Sequence, residues 1–186
     1  MHIALFGGAF DPPHLAHQSI ARYLIDQNLA NQVWFVPVYH HPWASKLKKL
    51  HMSPYNHRLA MIKLQTEPNI TAAEYKNVSF TYPTITYFEQ KYPQHTFSWV
   101  MGSEYLPKFD LFLQDHPKLA DKHIFIYPRE GHALTPITSN MTPLPNAPLV
   151  TISSSQIRQL IQEEKLTNHL ITPKVKSYIK HYKLYL

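Results

Sequence analysis

The sequence predicts an α/β chain, a Rossmann-like doubly wound parallel sheet in a single domain over residues 1–186. Three observations carry that prediction. Short apolar runs alternate with segments of helical period along the whole length. One of these runs, Val33-Trp34-Phe35-Val36-Pro37-Val38, is apolar throughout, as befits a strand buried on both faces. The first run, Ile3-Ala4-Leu5-Phe6, leads through Gly7-Gly8 into a helical pattern, the strand–turn–helix join of an α/β unit.

Composition sets the outer bounds. A length of 186 residues allows a substantial core, and 44% hydrophobic with 16% charged residues is an ordinary globular balance. The absence of cysteine excludes disulfides, a thiolate nucleophile and cysteine-ligated zinc, and suits a reducing compartment. No basic-then-apolar leader opens the sequence and no run of about 18 apolar residues occurs. The expectation is a soluble, unprocessed, cytoplasmic protein without a membrane partner. The net charge of +6 favours polyanionic ligands, nucleotides or nucleic acid, and is densest at Lys46-Leu47-Lys48-Lys49 and in the lysines from 174 to 183. Thirteen histidines predict a steep rise in positive charge below about pH 6.5.

Taken in order, the first strand covers residues 2–6, and a helix runs from about His14 to Asn28 with Leu15, Ile20 and Leu24 on its apolar face. Pro12 and Pro13 suit a helix entry. Between them and the strand, Gly7-Gly8 lets backbone approach a ligand closely, and the helix start offers free N–H groups and a partial positive charge. His14 and His17 are three apart and share one helix face. The plainer reading of the same residues is a tight turn followed by two surface histidines. A second strand at 33–38 precedes a basic, aromatic loop, Tyr39 to Met52. Ser53 as N-cap with Pro54 in the first turn opens a helix to about Thr66. Residues 69–75 read as the third strand, and Ser79–Thr84 leads a helix to about Tyr92. The fourth strand is 97–101, closed by Gly102, and the fifth is 123–127. The Pro-, Thr-, Ser- and Asn-rich stretch 132–148 reads as a long loop. Residues 149–152 form the sixth expected strand. Ser153 with Gln156 then makes a capping box, and Thr172-Pro173 opens the last helix. There is no internal repeat and no interdomain linker.

The run Gly7-Gly8-Ala9-Phe10-Asp11-Pro12-Pro13-His14-Leu15-Ala16-His17 resembles the amino-terminal motif of the nucleotidyltransferase superfamily of α/β phosphodiesterases, with Ala16 where glycine is usual. Ile152-Ser153-Ser154-Ser155-Gln156-Ile157-Arg158 is similar to that superfamily's second motif, with Ser155 for threonine. Within the superfamily the chain resembles the nicotinate-nucleotide adenylyltransferase family over nearly its whole length. Ser79, Thr81 and Thr84 match a segment that lines the family's mononucleotide pocket, and Arg129 lies in a matching R-x-G turn. Glu104 stands where the family has aspartate, and Phe112 where it has a tryptophan that packs on the pyridine ring.

The resemblance implies adenylyl transfer from ATP, accompanied by Mg²⁺, to a pyridine mononucleotide, giving a dinucleotide and pyrophosphate. It assigns catalysis to His14, His17, Lys46 and Arg158. ATP falls to Gly7, Gly8, Ala9, Phe10, His14, His17, Gly102, Ser103, Glu104, Ile152, Ser153, Ser154, Ser155 and Arg158. The mononucleotide falls to Lys46, Arg58, Ser79, Thr81, Thr84, Phe112 and Arg129, although Arg58 reads first as a residue that locks its loop. Nucleic acid is not an expected partner, and a homo-oligomer remains open. Three alternatives compete: a sister transferase using another phosphate acceptor, a nucleotide- or RNA-binding module without turnover, and a metal hydrolase built on Asp11, His14 and His17.

Overall fold

The computed structural model describes residues 1–40, 52–165 and 169–186. Its strands are β1 (His2–Gly8), β2 (Gln32–Pro37), β3 (Ile70–Ala72), β4 (Thr96–Gly102), β5 (Ile124–Tyr127) and β6 (Met141–Pro143). Its α-helices are α1 (Leu15–Asp26), α2 (Tyr55–Lys63), α3 (Thr81–Lys91), α4 (Phe109–Asp115), α5 (Ser154–Gln162) and α6 (Pro173–His181). The strands form one sheet in the order β3-β2-β1-β4-β5-β6, every pair parallel. The doubly wound prediction therefore holds.

Alternation along β1 builds both faces at once, because successive side chains point to opposite sides of a strand. Ala4 and Phe6 join Phe35, Val100 and Phe125 on one side, where α1 presses Ile20, Ala21 and Leu24 against them. Ile3 and Leu5 join Trp99, Met101 and Ile124 on the other, covered by Ile85 and Phe88 of α3 and Phe109 of α4. A third cluster, Met61 with Ile157, Ile161, Val175 and Ile179, holds α5 and α6 against α2. From β1 the chain first builds outward through β2 and β3, then returns to β4 on the opposite side. The β1–β4 boundary is thus the point where winding reverses, and ligands of such sheets bind beyond the strand ends there.

The structure revises several expected elements. The sixth strand is Met141–Pro143, inside the stretch expected to be loop, and not 149–152. Proline cannot donate to a ladder and is tolerated at a sheet edge, which is where β6 lies. Val150 makes only a parallel bridge to Arg129, prolonging the line of β5 by one residue pair. The third strand shrinks to three residues. The cap of α2 is Pro54 and not Ser53, one residue further along, and the Ser53 N–H donates to Asp11 Oδ2 at 3.0 Å. Between β4 and β5 lie α4 and two 3-10 turns, Ser103–Lys108 and Pro117–Asp121, that the sequence pattern did not announce. The expected caps at Ser153 and Thr172 are present: Ser153 Oγ accepts the Gln156 N–H at 3.3 Å, and Thr172 Oγ1 accepts the Val175 N–H at 3.3 Å. Among the described residues no helix is long and apolar enough to cross a membrane.

Candidate active site

A cleft of about 390 Å³ opens beyond the carboxyl ends of β1 and β4, a volume suited to a small-molecule ligand. Its floor is glycine for a steric reason. A Cβ on Gly7 would lie 2.1 Å from Trp99 Cζ2, so only a bare backbone passes over that indole. Phe10 follows with a φ of 50°, a left-handed conformation disfavoured for an aromatic residue, and is 1% exposed. Burial of its ring against Phe6 and Phe35 holds the turn in place.

His14 and His17 stand at the start of α1 and line the cleft. Their rings stack, with centroids 3.6 Å apart and planes 25° apart. The His14 N–H donates to His17 Nδ1 at 3.1 Å, so His17 caps its own helix. That bond makes Nδ1 an acceptor and leaves Nε2 as the N–H donor of a neutral His17. His14 is 2% exposed and its Nδ1 has no hydrogen-bond partner, an orphaned polar atom in the wall of a ligand-sized cavity. Burial, reinforced by the Arg129 charge, pulls the His14 pKa down to about 3. Burial, then the neighbouring His14 and Arg129, holds His17 well below 6.5. The expected gain of charge below pH 6.5 therefore fails for these two histidines, which are neutral donors and acceptors in this state.

This arrangement makes stability fall on acidification. An unfolded histidine takes a proton near pH 6.5, whereas buried His14 refuses it until about pH 3. Between these values the unfolded chain binds more protons, so the stabilisation is complete above pH 6.5 and is lost as pH falls towards 3. Thermal midpoints between pH 7 and pH 4.5 should drop more steeply for the native protein than for His14→Gln. Equal slopes in the two proteins would contradict the account.

The remaining predicted residues divide clearly. Gly8, Ala9, Phe10, Gly102 and Glu104 line the cleft, as do Ser79, Thr81, Thr84, Phe112, Arg129, Ser153 and Ser154. Ile152, Ser155, Arg158, Ser103 and Arg58 do not. Ser103 is fully buried, and its Oγ accepts the Arg129 N–H at 3.1 Å. Arg158 reaches back to the Asp11 carbonyl at 2.7 Å, with a second donor on Ser155 Oγ at 3.1 Å. Arg58 is 1% exposed, and its guanidinium donates to the carbonyls of Ser53, Ala9 and Val38 at 2.9, 2.8 and 2.6 Å. It ties the turn after β1 to both ends of the connection between β2 and α2 and is not brought to the cleft. Lys46 lies outside the described residues.

Glu104 and Arg129 face each other across the cleft wall, with Oε1 3.6 Å from Nε. Burial nevertheless raises the Glu104 pKa, and its Oε2 has no hydrogen-bond partner. The metal-hydrolase alternative loses its acid here. Both Asp11 oxygens are taken, by the Ser53 N–H and the Tyr185 hydroxyl, and no group of three metal-ligating side chains exists among the described residues.

The structure adds lining residues that the sequence reading passed over, chiefly Trp99, Phe80, Tyr82 and His116. Trp99 and Met101 point the same way by strand alternation, a signal present in Phe97-Ser98-Trp99-Val100-Met101. His116 meets Phe80 and Tyr82 ring to ring at 5.0 and 5.8 Å, a contact across elements that no local pattern encodes.

Comparison with known proteins decides the family. The cytidylyltransferase-like family model matches residues 5–160. The chain belongs to the cytidylyltransferase-like family. Its relatives within this family include a protein named probable nicotinate-nucleotide adenylyltransferase from Flavobacterium johnsoniae, 31% identical over 100% of this chain and 99% of that protein. The Bacillus subtilis nicotinate-nucleotide adenylyltransferase is 29% identical over 98% of this chain and 97% of its own length. The cytidylyltransferase-like fold itself is matched by Plasmodium falciparum nicotinic acid mononucleotide adenylyltransferase complexed with NaAD. That structure superposes with a TM-score of 0.76 at 20% identity, over 99% of this chain and 97% of that chain.

Proposed function

We propose that this protein is a nicotinate-nucleotide adenylyltransferase, joining the AMP part of ATP to nicotinate mononucleotide. The single observation that carries the chemistry is the stacked, neutral His14–His17 pair at a helix start beside a glycine floor. A helix start, backbone N–H groups and an imidazole N–H together form a cradle for a phosphate chain. The name carried by relatives that match end to end supports the choice of substrates.

In this reading an oxygen of the mononucleotide 5′-phosphate attacks the α-phosphorus of ATP. The new O–P bond forms as the bond to the β-phosphate oxygen breaks, and pyrophosphate leaves with that electron pair. A phosphate monoester is already an anionic nucleophile at neutral pH, so no side chain need be deprotonated first. Positioning and charge stabilisation then supply the rate. His17 Nε2 and His14 donate to phosphate oxygens, and Arg129, Ser153 and Ser154, which line the same cleft, face the chain beside them. Lys46 completes the catalytic set, and Arg158 positions it by holding the loop that carries the histidines. Phe112 offers a ring face to the pyridine, and Thr81 offers its hydroxyl and the start of α3 to the mononucleotide, while Ser79 and Thr84, whose hydroxyls donate to the Asn77 and Phe80 carbonyls, shape the wall beside it. Mg²⁺ comes as part of the substrate Mg-ATP; the described residues give it no ligand cluster, and no step here depends on one. Residues 1–186 act as one nucleotidyltransferase domain.

The test is pyrophosphate release by the purified protein with Mg-ATP and either nicotinate or nicotinamide mononucleotide. Release favouring the nicotinate form is expected. Release with the nicotinamide form alone would keep the chemistry and change the acceptor. Silence with both, in protein that binds ATP, would overturn the proposal.

A further inference from the structure

The segment after α6 turns back onto the loop that carries the catalytic histidines. Lys183 and Tyr185 both take left-handed backbone conformations, with φ of 51° and 68°. Residues with a Cβ avoid that region, so the surrounding packing must hold this turn. The Leu184 N–H donates to the Ile179 carbonyl at 3.0 Å, and Leu184 and Tyr185 pack on the cluster that includes Met61, Ile157 and Val175. This turn aims the Tyr185 hydroxyl at Asp11 Oδ1, 2.6 Å away.

Asp11 is 2% exposed and is not part of the cleft lining. With Oδ2 on the Ser53 N–H, both of its oxygens bind away from the ligand space. The backbone around it is gripped as well. Arg58 donates to the Ala9 carbonyl at 2.8 Å, Arg158 to the Asp11 carbonyl at 2.7 Å, and Ser154 Oγ to the Pro12 carbonyl at 2.9 Å. The Leu15 N–H donates to the Leu170 carbonyl at 2.9 Å. The path from Gly8 to His14 includes the left-handed Phe10, so it is set by these anchors together with the burial of the Phe10 ring, and not by its own preference.

We infer that Tyr185 is a positioning residue of the nucleotide site: acting through Asp11, it fixes the loop that places His14 and His17, and so sets the affinity for the triphosphate. The inference rests on the nucleotide-site reading above. Removing the hydroxyl leaves one oxygen of a buried carboxylate without its donor, and the carboxylate turns to recover one. Such a turn moves the histidines while leaving the acceptor half of the cleft in place.

The experiment uses the full chain and measures binding of a non-hydrolysable ATP analogue by calorimetry. Tyr185→Phe should raise the analogue Kd about fivefold to tenfold, the scale of one ordinary net hydrogen bond, because only part of the lost bond is felt at the nucleotide. Its circular dichroism spectrum should match that of the native protein. Tyr178→Phe is the reference, since it loses a comparable hydrogen bond from α6, to His57 Nδ1 at 3.0 Å, without touching the loop. Its Kd should stay at the native value. Adding Tyr185→Phe to Asp11→Asn should weaken binding no further than Asp11→Asn alone. An unchanged Kd in Tyr185→Phe, or an equal loss in Tyr178→Phe, would overturn the inference. Native turnover with nicotinate mononucleotide, assayed in parallel, judges the acceptor alone; if it fails while the Kd shift appears, the acceptor assignment falls and the positioning role stands.

Discussion

His17→Ala is expected to lower the rate of pyrophosphate release by about 10²–10³, the usual cost of removing one preorganised donor to developing charge. The expectation follows from what the ring is doing. Its Nδ1 is occupied by the His14 N–H, so its free N–H, on Nε2, is the group available to phosphate. Burial keeps it neutral and therefore always in that tautomer near neutral pH. Alanine removes both the donor and the helix cap. His17→Asn separates them, because its side-chain oxygen can take the place of Nδ1 while nothing replaces Nε2. If the donor matters, the asparagine variant regains stability and stays slow. Steady-state rates and melting curves on the two variants check this, and a native rate in either would defeat the assignment.

Arg58→Met should reduce stability by about 3–5 kcal/mol, since each of three buried carbonyls loses its donor at a cost of about 1–3 kcal/mol. The acceptors, in Ala9, Val38 and Ser53, belong to the turn after β1 and to the two ends of the connection between β2 and α2. Methionine fills much of the volume and satisfies none of them. Lysine brings a charge but not a planar fork, so Arg58→Lys should recover only part of the loss. Denaturant titration measures the effect. The folded fraction of Arg58→Lys should keep the native KM for the mononucleotide. A large rise in that KM with unchanged stability would return Arg58 to the role of a phosphate ligand.

What the sequence made legible was what lies close together along the chain. Gly7, Gly8, His14 and His17 sit on one strand–turn–helix unit, so local spacing was enough to bring them to one place. The Ser153–Gln156 box was legible for the same reason. Arg58 was ambiguous because its meaning depends on carbonyls 5, 20 and 49 positions away. One of the two partners of the Asp11 carboxylate, Tyr185, is 174 residues distant, and no spacing rule reaches that far. Met141–Pro143 was misplaced because an edge strand is defined by its neighbour and not by its own composition, which reads as a turn. The helix α4 was missed because only Phe109 within it is buried, too little for a period to show. The charges of His14 and His17 were misjudged because a count of imidazoles says nothing about desolvation.

The shape of the sheet's borders has a consequence for how copies of this protein coexist. Among the described residues, each outermost strand is three residues long, and one of them ends in Pro143. An exposed strand edge is a template for a further strand, and long flat edges invite stacking between molecules. Here a neighbouring copy would find too few free backbone groups at either border to extend the ladder. A core with apolar strands at its centre is thus kept from propagating into fibres by how abruptly its sheet stops.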